Sequence, residues 1–573
     1  MKLRFKLIGG AMKWLLSFLT TVLFLCSISF AQNSAESNFS QLAGEAFENL
    51  QTFYPVISTG RGIHKYDYLL TDYSPKSISA EIGKLKKFQS RLSKIKVDVL
   101  SSESRIDWKL IKSNVDIALQ NLDRIKWYQK CPYIYADDAV NGVYLISISE
   151  YAPLEVRVQN IIARMKVVPD LFTQAKINLK KPAPIYVKMA QEMLTTGMDF
   201  YRSLAEDLKS QLPALAPEVE GAAGKVIAAM KDFHKYLSQL SPGGEGSFAI
   251  GKTEFDYKLK NEYFLDYDAD SLLKIGETLF RQADSMYGAY ETWLDSNRTE
   301  IDSVYPYNCI SKDEILSYYK WEVEQTKLYL SQKNIVTIPD DVGDCVVMET
   351  PAFLRNIISS IAYEPPGPFN PEQTGHFYVR PLPDTLDDGQ RAVYSKFINR
   401  RGFKGSVVHE AYPGHHLQSV MSSRVFDDIH KWQNNLCYVE GWAMYCEEMM
   451  YDNGFYGADK RRYLGALGGI MFRAARIIVD VKLQTEKMTI NEAVDWMTKA
   501  LDSDSNFIRT EVNRYTYTPT VPMSYLIGKT EIVKLRDAMK AREGERFSLK
   551  AFHDRYLSEG MIPPRLLWEI WGL

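Results

Sequence analysis

The sequence predicts a mainly helical fold in which a small β-sheet sits just before a histidine-rich helix. Three observations carry this reading. Apolar residues recur with the 3.6-residue period of amphipathic helices over most of the chain. Between Ile335 and Val379 the pattern changes to short strand-like runs set among many prolines. From Ser406 to the C-terminus the helical pattern returns.

At the N-terminus, Lys2, Arg4, Lys6 and Lys13 accompany a nearly unbroken apolar stretch from Trp14 to Phe30. Ser29-Phe30-Ala31 then offers small residues at the −3 and −1 positions of a cleavage site before Gln32. Residues 1–31 therefore read as a signal peptide. The stretch is short for a permanent span, and Ser17, Thr20 and Thr21 interrupt it. The mature chain is expected to be exported, periplasmic or extracellular, with no stable membrane span. Leu25 before Cys26 is bulky, which argues against lipid attachment at that cysteine.

Helices are expected near Phe39–Phe53, Ile78–Ile95 and Ser104–Trp127, where Ile106, Leu110, Val115, Leu119 and Leu122 share a face. Others follow near Leu154–Leu179, Ile185–Leu208 and Pro217–Leu240, the last with proline in its first turn. Ser241-Pro242-Gly243-Gly244 marks a boundary, dividing the mature chain into a helical region, 32–245, and a catalytic-like region, 246–573. Past it come helices near Asp270–Leu294 and Lys312–Lys333, then strands at Ile335–Pro339, Cys345–Met348 and Gly375–Val379. An exposed edge of that sheet can hold an extended peptide by main-chain hydrogen bonds, or simply brace loops. Thr489-Ile490-Asn491-Glu492 is a capping box opening a helix through Leu501, and a further helix is expected near Met523–Met539.

Composition bounds the function. A chain of 573 residues, 46% hydrophobic and 24% charged, has material for more than one core. Its net charge of −2 gives no footprint for nucleic acid. Apart from Cys26 the cysteines are Cys131, Cys309, Cys345, Cys437 and Cys446, widely spaced and odd in number, so they do not read as a disulfide framework. No G-x-S-x-G elbow is present, which speaks against an α/β serine hydrolase.

Chemistry concentrates in His409-Glu410-Ala411-Tyr412-Pro413-Gly414-His415-His416, followed by Glu440. Two histidines and a distant glutamate are the ligand set of a catalytic zinc with one open position. On a regular helix the partner of His409 would be residue 413, but Pro413 cannot ligate. His415 would point about 240° round, and His416 would lie roughly 10 Å further along the axis. Proline and glycine imply a distorted backbone. Absorbing two residues brings His415 into place, absorbing three brings His416; the smaller distortion favours His415, with His416 open as the alternative. Glu410 would serve as general base to an activated water. Glu447 and Glu448 share the Glu440 helix, either orienting a ligating imidazole or, the expected role, facing solvent.

This motif, with Glu440-Gly441-Trp442-Ala443, Arg514-Tyr515, Pro522, Tyr525 and Gly528 downstream and Phe377-Tyr378-Val379 upstream, resembles the bacterial domain-of-unknown-function family 885. The resemblance implies a two-lobed helical fold with a central cleft, similar to the glutamate-ligand zinc peptidases of the thimet-oligopeptidase and angiotensin-converting-enzyme type. This chain departs from that class by the two-residue Pro-Gly expansion. In that class a tyrosine or histidine across the cleft hydrogen-bonds the substrate oxygen as it gains charge. The resemblance offers Tyr525 first, then Tyr515 and Tyr378, with His376 as a further donor and Arg514 as a carboxylate or oxyanion clamp.

The reading that results is an exported zinc-dependent hydrolase, one Zn2+ per chain held by His409, His415 and Glu440, acting on peptides or peptide-like substrates. Two alternatives stand beside it. One is a non-catalytic helical binding or scaffold protein with a degenerate metal site; the other is a zinc amidase or esterase on a non-peptide substrate.

Overall fold

The computed structural model describes residues 35–304, 314–355, 358, 360–381, 400–457 and 459–573; the leader at 1–31 and Cys309 lie outside the described residues. Helices dominate, and the periodic stretches fold as expected with ends shifted by a few residues, as in Pro75–Leu92, Leu154–Asn178, Pro184–Gln211 and Ala216–Gln239. Local chemistry sets several starts. Ser74 accepts from the Ser77 amide with Pro75 at the first position, and Thr489 and Glu492 close their capping box ahead of Ile490–Leu501. No helix among the described residues is long and apolar enough to cross a membrane. Cys131, Cys345, Cys437 and Cys446 are all free thiols.

One helix, Tyr133–Ile148, escapes the periodicity argument for a physical reason. Tyr135, Ala136, Ala139, Val140 and Val143 are fully buried on one face, and the other side is half-buried rather than exposed, with Ile134, Leu145 and Ile148 on it, so apolar residues occur all round the helix. It centres a core with the helices on either side of it, and that core also takes Phe353, Tyr378, Ala475 and Tyr515 from beyond Ser241–Gly244. A second core gathers Val407, Val408 and Ala411 with Trp442, Val347, Phe377 and Tyr556. The helix Ser102–Leu119 serves two cores: Ile106 and Leu110 face the second, Val115 and Leu119 another near the N-terminus.

Among the described residues one sheet forms, with strand order β1 (Cys345–Glu349), β3 (Gly375–Val379), β2 (Ile361–Glu364). β1 runs parallel to β3, with Val347 opposite Phe377; β2 runs antiparallel, with Tyr363 opposite Phe377. The expected strand at Ile335–Pro339 does not form. Its backbone is satisfied by side chains instead: the Thr337 amide donates to Asp554 at 2.8 Å, and His553 Nδ1 meets the Ile335 carbonyl at 2.9 Å. β2 is the strand that periodicity missed, four residues in length and half-buried throughout.

Two helices meet with almost no side chain between them. A Cβ on Gly441, in the helix Leu436–Asp452, would lie 2.5 Å from the Gly528 carbonyl carbon; a Cβ on Gly528, in Val521–Glu543, would lie 2.1 Å from the Cys437 carbonyl oxygen. Backbone touches backbone, and Glu440 and Tyr525 are carried on these two helices. Gly528→Ala is therefore expected to force the pair apart and to destabilise the fold by about 1–3 kcal/mol or more, read as a lowered urea midpoint. An unchanged midpoint would mean that the contact is looser than this packing implies.

Candidate metal centre

The histidine motif is two helices with a break between them. The first, Arg400–Glu410, ends where the Ala411 and Tyr412 amides both turn back to the Val407 carbonyl, at 2.8 and 3.1 Å. The Tyr412–Pro413 peptide is cis. Gly414 then crosses so close that a Cβ would sit 1.9 Å from the His409 carbonyl oxygen and 2.4 Å from that of Val408. Only glycine fits there. The second helix, His415–Ser423, begins at once. Trp442, fully buried on the Glu440 helix, donates its indole N–H to the Pro413 carbonyl at 2.8 Å and so fixes the break against the partner helix.

This break places His409 at the end of one helix and His415 at the start of the next, both facing Glu440. Glu440 Oε2 lies 3.5 Å from His409 Nε2 and 3.4 Å from His415 Nε2. The two rings stand 4.9 Å apart and nearly perpendicular, at 89°. Ligands about 2.0–2.2 Å from one tetrahedral ion are roughly 3.3–3.6 Å from each other, so these separations suit a shared ion. Glu440 Oε2 is buried and accepts no hydrogen bond among the described residues, which is the condition of an oxygen kept for a cation. The residues present fit zinc.

His416 is committed elsewhere. Its Nδ1 meets the Tyr363 hydroxyl and its Nε2 the Gly343 carbonyl, each at 2.8 Å. The carbonyl can only accept, so Nε2 carries the proton and Nδ1 accepts from the tyrosine. Burial pushes the His416 imidazole down to about 4, consistent with a neutral ring locked at both nitrogens.

Around the centre, charges alternate. His409 Nδ1 donates to Glu447 at 2.9 Å, and Arg473 donates to the same oxygen at 3.2 Å. A proton held on Nδ1 leaves the Nε2 lone pair for a ligand role. Glu447 was expected to face solvent; the structure turns it inward, while Glu448 pairs with Lys529. Burial alone would raise the Glu447 carboxyl, but Arg473 and His409 outweigh it and hold it at about 2. Burial alone would lower the His409 imidazole, but Glu440 and Glu447 push it up to about 10. Glu410 is also buried, with its carboxyl raised chiefly by that burial, and its side chain makes no hydrogen bond among the described residues.

On the far side, Tyr525 lies beside the cluster, its ring nearly parallel to His409 at 6.5 Å. Burial and then the Glu440 carboxylate raise its hydroxyl. Arg476 stacks on the Tyr525 ring at 4.6 Å and donates to Glu511 at 2.6 Å and to the Tyr515 hydroxyl at 2.9 Å. Arg514 donates to the same Glu511 carboxylate at 2.9 Å, which anchors it next to Tyr515. Tyr515 itself gives its proton to Glu511 at 2.9 Å.

Tyr378 and His376 are not brought to this cluster. Strand alternation turns both to the sheet face opposite Phe377, the residue that packs with Val407 and Val408. Tyr378 is buried in the other core, hydrogen-bonded to the Tyr144 hydroxyl. Arg473, Arg476 and Tyr363 were missed as neighbours of the site. Their signal was available for the arginines: two guanidinium groups inside the otherwise apolar run Ile470–Val479 demand buried partners.

No curated protein matches the chain. Two solved structures share its fold. A protein from Shewanella oneidensis, described as a "putative lipoprotein of unknown function", superposes with a TM-score of 0.75 at 23% identity over 93% of this chain and 100% of its own. A "putative lipoprotein" from Colwellia psychrerythraea superposes with a TM-score of 0.74 at 18% identity, covering 92% of this chain and 98% of its own. Residues 55–570 match the family described as "Bacterial protein of unknown function (DUF885)". The chain belongs to that family.

Proposed function

We propose that this protein is an exported, zinc-dependent hydrolase that cleaves peptides, with His409, His415 and Glu440 as the metal ligands. The observation that carries the reading is the convergence of two imidazole Nε2 atoms on a buried carboxylate oxygen that has no hydrogen bond among the described residues. Zinc bound there would supply Lewis acidity and lower the pKa of a water. In this reading the two helical regions flank a cleft, as in the peptidases the motif resembles.

The chain's own groups divide the remaining work. Glu410, adjacent in sequence to His409 and without a competing hydrogen bond among the described residues, accepts the proton of the attacking water. Its raised carboxyl brings it nearer to the range in which a base can also return that proton to the leaving amine. Tyr525 donates to the substrate carbonyl oxygen as it gains charge. Glu447 fixes the His409 ring, and Arg473 fixes Glu447. Arg514, held by Glu511, supplies positive charge beside Tyr525.

His415→Ala and Glu440→Ala are each expected to lose one equivalent of zinc relative to the wild type by elemental analysis. His416→Asn should keep that equivalent while losing about 1–3 kcal/mol of stability, because it disturbs two buried hydrogen bonds. Full zinc retention in both alanine variants would remove the proposed centre.

Glu410→Gln should keep its zinc and lower kcat on a peptide library about 10²–10⁴-fold, and Tyr525→Phe about 10²–10³-fold. Undiminished turnover in Glu410→Gln would refute the assigned base. Zinc present with no peptide cleavage, but with turnover of simple amides or esters, would move the substrate class.

Export belongs to the same proposal. The descriptions of both fold neighbours as putative lipoproteins weigh against excluding lipid attachment at Cys26. Intact mass of the mature protein separates the two fates: a chain beginning at Gln32 supports cleavage there, and one beginning at a lipid-modified Cys26 replaces it.

A further inference from the structure

A second cluster of ligand-type side chains lies apart from the histidine motif. Asp107, on the helix Ser102–Leu119, faces the segment that joins the His415 helix to the Glu440 helix. That segment contributes Asp427 and His430. One donor atom from each of the three residues lies within 4.8 Å of the other two.

Hydrogen bonding accounts for part of Asp427 and of His430 and leaves a remainder. Asp427 Oδ1 caps the short helix Asp428–Trp432, accepting from the Ile429 and His430 amides at 2.8 and 2.9 Å. His430 Nδ1 lies 3.2 Å from the Glu559 carbonyl, which can only accept, so the ring proton sits on Nδ1. That is the arrangement that orients a ligating imidazole and leaves the Nε2 lone pair outward. Nε2 in turn lies 3.2 Å from Asp107 Oδ1. Both atoms are buried, yet neither makes a hydrogen bond among the described residues.

Asp107 is 8% exposed, so an oxygen there without a hydrogen bond is a cost the fold must offset. A simple imidazolium–carboxylate pair would offset it with an in-line N–H···O bond, whereas the two atoms here are close without one. The separation is instead close to the roughly 3.3 Å edge between two ligands of one tetrahedral zinc. Burial raises the Asp107 carboxyl and the facing Asp427 carboxylate raises it further, against the pull of His430. Two carboxylates and an oriented imidazole make a mixed oxygen and nitrogen donor set of the kind zinc accepts.

We propose that Asp107, Asp427 and His430 form a second divalent-cation site, of the zinc class, which clamps the link between His415 and Glu440 to the helix Ser102–Leu119. The site stands independently of the hydrolase reading, since it shares no residue with that centre.

The test uses the full chain, stripped with a chelator, reloaded with Zn2+, freed of excess metal and analysed for zinc per chain. On a Glu440→Ala background, one equivalent should remain, and adding Asp107→Asn, which keeps the side-chain volume, should remove it. In the same background Zn2+ should raise Tm, and Asp107→Asn should abolish that rise. His430→Gln serves as the second variant should the first fail to fold, with the same expected loss. Equal zinc counts with and without Asp107→Asn or His430→Gln would overturn the site. So would a folded Glu440→Ala protein with no zinc at all, an outcome that leaves the proposed catalytic centre intact.

Discussion

A carboxylate withdrawn from water costs several kcal/mol unless positive charge or donors replace the lost hydration, and Glu440 is the place where this fold accepts that cost. Much of its surroundings reads as compensation. Two imidazoles face it from consecutive helices, and burial, which would raise its carboxyl, is outweighed by those rings, which hold it well below the ordinary range. The break at Gly414 exists so that histidines six positions apart can reach one oxygen. Trp442 ties the break down from the very helix that carries Glu440, so the two halves of the cluster are referenced to each other.

From Glu440 outward, negative and positive groups alternate through His409 and Glu447 to Arg473. A parallel series runs from Tyr525 through Arg476 and Glu511 to Arg514. Both draw an arginine from the same helix, Arg461–Gln484, where Arg473 and Arg476 stand one turn apart and point to neighbouring targets. One helix thereby sets the electrostatics of the histidine side and of the tyrosine side. Charges so deeply placed are screened little by salt.

Much of this was legible in the sequence. Helical periodicity found most of the helices, because an amphipathic helix advertises its buried face. It failed for Tyr133–Ile148, which has no exposed residue and carries apolar side chains on its half-buried side as well, so its buried face does not stand out. Alternation found β1 and β3 but also suggested a strand at Ile335–Pro339, where Asp554 and His553 satisfy the backbone from over two hundred residues away. Spacing identified His409, His415 and Glu440 as a set and preferred His415 to His416 on the size of the distortion. It could not see that Tyr363 and Gly343 occupy both nitrogens of His416, since those partners are distant in sequence. Glu447 and Glu448 are adjacent and chemically equal on paper. Only the 100° step of a helix separates the one that meets His409 from the one that meets Lys529.

The contact between Gly441 and Gly528 has a mechanical meaning. Side chains between packed helices act as a compliant layer, because rotamers can turn and absorb a small displacement. Here that layer is missing, and two main chains bear directly on one another. A tilt or slide of the Val521–Glu543 helix is therefore delivered undamped to the helix of Glu440. Glu440, one residue before Gly441, and Tyr525, three before Gly528, are thus set relative to each other by main-chain contact rather than by rotamers.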